Sequence, residues 1–537
     1  MNRDEQLGRV RDRSKSWDIL VIGGGATGVG IAVDAASRGL DVVLVDQSDF
    51  GKGTSSRSTK LVHGGVRYLE QGNISLVMDA LKERGILREN APHLVQDLAF
   101  IVPSYEWWEA PFYGIGLRLY DLLAGKYGFG PSRNLSREET LERIPTLKTE
   151  GLRGGVIYYD GQFDDARLLI NLAQTAFEQG ATLVNYCPVV ALTRGGDGFL
   201  NGAIVRDEEQ GEELEIRARS VVNAAGPFAD QVRRIADPGA APLLAPSQGV
   251  HLVLDRSFLP GGDAIMVPHT PDGRVMFAIP WHGHTLVGTT DTPISEVSLE
   301  PRPLPEEIDF ILETASRYLH RAPGPRDILS AFAGIRPLVR AGEGTNTSVL
   351  SRDHVIHVDQ NGLLTIVGGK WTTYRSMAED CVNHAVMLGA LEERPCGTRH
   401  LKIHGYHQNA EKFGDLAVYG TDAVAIQDLI RTRPELGEKL HPELPYCAAE
   451  IVWAARAEMA RTLEDALSRR TRVLPLNARA ATEMSPRAAA FMAGELGRNE
   501  SWVAGQVETF TRLAGGYLPR EGLRDPGTGS GLVPGSG

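Results

Sequence analysis

Short apolar, β-branched runs alternate with stretches of helical periodicity through the first four hundred or so residues. Asp18 to Ile22, Val42 to Val45, Ser220 to Val222 and Leu363 to Val367 read as buried strands, with amphipathic segments between them, the pattern of an α/β sheet. Between residues 246 and 294 the period shortens to two. HLVLD, AIMV, VMFAI and TLVGTT alternate apolar and polar positions, which predicts an antiparallel sheet inserted into the α/β unit. Farther on, Ala448 to Arg472 and Pro486 to Leu513 carry apolar residues at helical spacing with little β character, so a separate helical domain is expected.

The expected fold is therefore α/β, a Rossmann-like dinucleotide-binding domain with an inserted antiparallel β-sheet substrate domain and a C-terminal α-helical domain. The polar residues 1–16 are expected as a disordered tail and the Gly, Ser and Pro-rich residues 521–537 as a flexible one. Between them the dinucleotide-binding domain is expected over 17–95, 161–240 and 330–395. The substrate domain is expected over 96–160 and 241–329, and the helical domain over 396–520.

Composition narrows the function. A chain of 537 residues with 42% hydrophobic and 23% charged residues is globular and long enough for several domains. Sixty glycines exceed the usual share of about 7%, which fits tight turns and close approach of backbone to a ligand. A net charge of −12 gives no reason to bind nucleic acid. Cys187, Cys381, Cys396 and Cys447 form no CxxC pair, so neither a metal site nor a disulfide framework is expected, and a reducing compartment fits. The first twenty residues carry charge where a secretory signal needs an apolar stretch, and nowhere do eighteen apolar residues run together. The expected location is cytoplasmic, either free or on the inner face of the cytoplasmic membrane.

Residues 17–47, WDILVIGGGATGVGIAVDAASRGLDVVLVDQ, join a strand to Gly23, Gly25 and Gly28 in GxGxxG spacing, then to a helix and a second strand ending at Asp46. Gly23 permits the tight turn, Gly25 lets the backbone approach a pyrophosphate, and Gly28 lets helix pack on strand, while the helix amino terminus offers N–H groups to phosphate. Asp46 is placed to accept from ribose hydroxyls, and it repels a 2′-phosphate. On these residues alone NAD and FAD both remain open.

Residues 54–70, TSSRSTKLVHGGVRYLE, resemble the segment that follows this turn in FAD-dependent glycerol-3-phosphate dehydrogenases. VNAAGPFAD (222–230), the IPW and VGTTD strands (279–291), AGIRPL (333–338), GGKWTTYR (368–375) and TLEDALSRRTR (462–472) resemble that family in its order, so the likeness covers residues 17–515. These proteins are members of the wider D-amino-acid-oxidase-like flavoprotein group. The resemblance implies FAD, oxidation of sn-glycerol 3-phosphate to dihydroxyacetone phosphate by hydride transfer to flavin N5, and a quinone as electron acceptor. An oxidase that releases peroxide from oxygen is the alternative. The family's mitochondrial members carry calcium-binding EF-hands, but this sequence has no DxDxDG loop, so calcium control is not expected.

The same resemblance implies site residues. Arg67, Arg336 and Lys370 are the expected cations over the flavin, suited to a phosphate dianion, with surface or core ion pairs as their ordinary alternative. His63, flanked by Gly64 and Gly65, is the first candidate for the general base, since an imidazole titrates near neutrality; a structural histidine is the alternative. His251 is implied to share phosphate binding or proton transfer; Tyr68 is a candidate to donate a hydrogen bond beside Arg67, with a core aromatic as the favoured alternative. Thr54, Ser55, His63, Gly64, Val189, Gly226, Gly369, Lys370 and Thr372 complete the implied cofactor contacts, Val189 at the adenine. Thr372 and Thr373 serve equally well as helix caps.

Residues 105–129 hold Trp107, Trp108, Phe112, Tyr113, Tyr120, Tyr127 and Phe129 with Arg118 and Lys126. Such a mixture suits either a peripheral membrane contact that admits quinone or ordinary domain packing. The oligomeric state, homodimer included, is left open.

Overall fold

The computed structural model describes residues 1–66, 69, 73–268, 270, 274–340 and 354–519. Arg67, Tyr68 and the expected flexible tail 521–537 lie outside the described residues.

The first sheet is built around strand Ser16–Ile22, which runs parallel to Val42–Val45 on one side and to Glu213–Asn223 on the other. Thr182–Val184 extends it beyond the former and Leu364–Gly368 beyond the latter, both parallel. Its side chains alternate between two cores. Ile19 and Val21 pack with the helices Ala26–Ser37, Asp165–Glu178 and Tyr374–Leu388, while Leu20 and Ile22 pack with Val43, Val45 and Val221 on the opposite face. All four residues of Val42–Val45 are buried, as a parallel strand covered on both faces requires.

Residues 1–16 are not a disordered tail. Arg3–Arg11 form a helix capped by the Asn2 side chain, which accepts from the Asp4 and Glu5 amides. Leu7 and Val10, one turn apart in an otherwise polar stretch, are buried in the second core of the sheet, and buried Arg3 pairs with Asp207 at 2.7 Å. Buried Gln6 accepts from the Leu183 amide, and the Met1 amino group donates to the Ala457 carbonyl at 2.8 Å, so a segment whose composition reads as solvent-exposed is docked along its length.

The second sheet has ten strands among the described residues, mostly antiparallel, and includes Val95–Ser104, Gly154–Phe163, Leu244–Asp255, Met276–Trp281 and His284–Gly288. Two of its members were expected in the dinucleotide-binding domain. Ile328–Val339 pairs antiparallel along Leu244–Asp255, with Arg336 opposite Ser247 and Phe332 opposite His251, and Leu61–Val62 pairs with Gly154–Phe163. The substrate sheet therefore reaches into segments that the sequence assigns by motif to the cofactor.

The C-terminal part is helical. Ala448–Ala457, Ala478–Leu496 and Glu500–Ala514 enclose a core that includes Ile451, Val452, Leu467, Met484, Met492 and Phe510, and this core is continuous with that of the second sheet.

Candidate active site

Strand Ser16–Ile22 delivers the chain into Gly23, whose φ of +113° turns it toward helix Ala26–Ser37. A Cβ on Gly23 would lie 2.6 Å from the Ala224 carbonyl oxygen, and one on Gly28 1.8 Å from that of Gly23, so neither position accepts a side chain. The helix begins at Gly25 without a side-chain cap. Its first amide, Ala26 N–H, donates to Ser55 Oγ at 2.9 Å, and the Ser55 carbonyl accepts from Trp371 Nε1 at 2.8 Å. At the end of the second strand, the Asp46 carboxylate accepts from the Gly24 and Ser48 amides at 2.6 and 2.8 Å. Burial pushes this carboxyl up to about 6 despite the two amides that favour its charge.

A continuous cavity of about 540 Å³ leads from this turn to the second sheet. Gly23, Gly25, Asp46, Thr54, Ser55, Val189 and Gly226 line it, as do His63, His251, Arg336, Gly369, Lys370 and Thr372. Gly28 stands behind the turn and Gly64 behind the His63 loop, where a Cβ would sit 2.6 Å from both Tyr120 Oη and Leu81 Cδ2. These groups fit FAD: a glycine turn and the helix terminus at Gly25 for the pyrophosphate, and a carboxylate for the ribose diol. Gly226 and Gly369, at φ of +54° and +70°, let main chain pass close to a ring system.

At the other end, Arg336 is held from several directions. Nη2 donates to the Thr290 carbonyl at 3.0 Å and to Thr289 Oγ1 at 3.2 Å, while Nη1 reaches Asp291 Oδ1 at 3.3 Å. His251, on the neighbouring strand, stacks on Phe332 with ring centroids 5.3 Å apart. Its Nε2 is 2.9 Å from Thr59 Oγ1, and its Nδ1 is buried with no hydrogen-bond partner among the described residues. Burial first, then the charges of Lys60 and Arg336, hold this imidazole well below its ordinary range, so it is neutral at physiological pH.

His63 is half-buried, and its amide donates to Thr372 Oγ1 at 3.2 Å. Thr372 thus ties the GGKWTTYR turn to the His63 loop, and Thr373 Oγ1 donates to the Lys370 carbonyl at 3.2 Å; no side chain caps helix Tyr374–Leu388. Of the two roles open to these threonines, the capping one is not seen: Thr372 joins the His63 loop and Thr373 bonds within its own turn.

Several supporting residues carry no signal of their own in the sequence. Asp165 accepts from Lys60 Nζ at 2.6 Å, from Ser58 Oγ at 2.7 Å and from Arg472 Nη2 at 2.9 Å, and Arg472 also donates to the Ser56 carbonyl at 3.0 Å. Arg469 and Arg470 both pair with Asp49, three residues beyond Asp46. Burial alone would raise the Asp49 carboxyl, but Arg470 and Arg469 outweigh it and leave it well below its ordinary value. The TLEDALSRRTR segment is thus a clasp that holds loop 54–60 and the end of the second strand from the helical domain. The pairing of its arginines was legible only as a resemblance.

The aromatic segment divides by face. Tyr113 and Tyr120 are buried on helix Glu109–Ala124, whereas Trp107, Phe112, Ile115 and Leu122 are 74%, 52%, 72% and 77% exposed. No helix among the described residues is long and apolar enough to cross a membrane.

The sequence pattern of the FAD dependent oxidoreductase family matches residues 18–375, and that of the C-terminal domain of alpha-glycerophosphate oxidase matches residues 364–502. The mitochondrial glycerol-3-phosphate dehydrogenases of Rattus norvegicus and Homo sapiens are each 41% identical over 95% of this chain, which spans 75% and 74% of their lengths. The structure of glycerol-3-phosphate dehydrogenase from Bacillus halodurans complexed with FAD superposes with a TM-score of 0.78 at 30% identity, covering 96% of this chain and 98% of that one. With the FAD cradle and the cation-lined far end of its cavity, the chain belongs to the FAD-dependent glycerol-3-phosphate dehydrogenase family.

Proposed function

We propose that the protein oxidises sn-glycerol 3-phosphate to dihydroxyacetone phosphate and passes the electrons to a quinone. The observation that carries this reading is one cavity that joins the FAD cradle to Arg336, Lys370 and two histidines. Bound FAD supplies a two-electron acceptor whose N5 takes a hydride.

The protein's own residues bind, orient and deprotonate the substrate. Arg336, fixed by Asp291, Thr289 and Thr290, presents a planar guanidinium suited to bidentate contact with a phosphate dianion, and Lys370 adds positive charge along the same cavity. His251 accepts the proton of the substrate's secondary hydroxyl. It is neutral beforehand, it lines the cavity, and a dianion beside Arg336 offsets one of the charges that weaken it as a base. His63 contributes through its loop and its place on the cavity wall, and is the alternative base.

The exposed apolar side of helix Glu109–Ala124 supports peripheral contact with the inner face of the cytoplasmic membrane, where a lipid-soluble quinone resides. Glycerol 3-phosphate is expected to drive reduction of a soluble quinone analogue at a rate exceeding peroxide release in air by roughly tenfold or more. Peroxide release in step with substrate consumption, with no quinone reduction, would make the protein an oxidase instead.

A further inference from the structure

We propose that Tyr120 is a positioning residue for the loop His63–Gly65, acting through a buried hydrogen-bond relay that the family motifs do not reveal. The inference rests on the reading of the chain as a glycerol-3-phosphate dehydrogenase.

The loop is held from two sides. On one side the His63 amide donates to Thr372 Oγ1. On the other, the buried Gly64 amide donates to Tyr120 Oη at 2.7 Å, and the Tyr120 hydroxyl donates in turn to Asp160 Oδ2 at 2.8 Å. Asp160 lies on strand Gly154–Phe163 and its other oxygen pairs with Arg84, whose guanidinium sits 4.0 Å from the Phe129 ring centre. Every member of this relay, Gly64, Tyr120, Asp160 and Arg84, is buried. Gly64 leaves no slack: a Cβ there would meet Tyr120 Oη and Leu81 Cδ2, each at 2.6 Å. His63, Gly65 and Asp160 all line the cavity, so a shift of the relay moves the cavity wall itself.

The tyrosine hydroxyl is the one group that both accepts from the loop and donates to the carboxylate. Burial and the neighbouring Asp160 keep it protonated, far above its ordinary range, so the direction of the relay is fixed. Phenylalanine would fill the same space but leave the Gly64 amide buried without its acceptor. A loop displaced by a fraction of an ångström costs rate more than affinity when it positions the reacting groups.

The test is stopped-flow reduction of the FAD-loaded Tyr120→Phe variant by glycerol 3-phosphate. The limiting rate is expected to fall roughly tenfold while the half-saturating substrate concentration stays within about twofold, and the visible flavin band to shift. Hydrogen exchange of the peptide containing Gly64 is expected to accelerate. A lower melting temperature with unchanged rate and band would assign Tyr120 to packing alone and overturn the proposal. Should Tyr120→Phe fail to retain FAD, Asp160→Asn combined with Arg84→Met, which weakens the acceptor behind the hydroxyl without leaving a buried guanidinium unpaired, carries the test. Its limiting rate is expected to fall about threefold or more at the same half-saturation, and a rate equal to the parent's overturns the proposal. Bleaching of the parent protein by the same substrate tests the underlying reading separately.

Discussion

Burial lifts the Asp46 carboxyl from its ordinary 3.8 to about 6, so between about pH 4 and 6 the folded chain holds a proton that the unfolded chain has released. The apo fold is therefore stabilised at this position as pH falls through that window. The loaded protein is expected to respond with the opposite sign, because ribose hydroxyls would donate more strongly to the carboxylate than to the neutral acid. FAD affinity is expected to weaken as pH falls through about 6, and Asp46→Asn to flatten that dependence while weakening binding at neutral pH by roughly tenfold. Fluorescence titration of apoprotein with FAD measures both, and a wild-type profile as flat as the variant's would remove Asp46 from the site. His251 makes a separate prediction. If its neutral ring takes the substrate proton, His251→Asn slows flavin reduction by about a hundredfold with little change in substrate binding, whereas His63→Asn slows it far less. The reverse ranking in rapid-mixing measurements would hand the base to His63.

Helix Glu109–Ala124 is apolar on two sides. Tyr113, Leu117, Tyr120 and Ala124 face the core, while Phe112, Ile115, Leu119 and Leu122 remain exposed, an arrangement that a helix at a protein–water boundary does not need. A lipid surface would bury that second face. Ile115→Glu with Leu122→Glu is expected to reduce flotation with anionic vesicles by more than about fivefold while leaving substrate-driven flavin reduction intact, and undiminished flotation would exclude the helix as the contact. The sequence singled out this segment by its aromatics, two of which, Tyr113 and Tyr120, proved to be core. The exposed aliphatic residues Ile115 and Leu122 carry the pattern more clearly, but only the helix phase separates them from the buried set.

At the scale of the whole molecule, the glycine turn could be read from residues that act on one another locally, whereas His251, Arg336 and the GGKWTTYR segment could be named only by resemblance, since their contacts with Thr59, Asp291 and His63 span tens to hundreds of positions. The long-range pairings themselves were not legible. Arg472 with Asp165, and Arg470 with Asp49, join residues more than three hundred positions apart, and nothing in either local sequence names its partner. The helix Arg3–Arg11 was hidden for a related reason, since its apolar anchors are few and its remaining positions are mostly charged. The clasp ties the helical domain to loop 54–60 and to Asp49, close behind the cavity-lining Asp46. Arg470→Met removes one of the two arginines that pair with Asp49, so a destabilisation of about 3 kcal/mol and release of FAD at lower temperature are expected on thermal scanning; unchanged FAD release would deny the clasp that role. The central claim, that one cavity brings FAD and glycerol 3-phosphate together, is tested most directly by adding glycerol 3-phosphate to the purified holoprotein without oxygen and following the flavin band near roughly 450 nm. Stoichiometric bleaching is the result expected, and a yellow protein that stays oxidised at saturating substrate would contradict it.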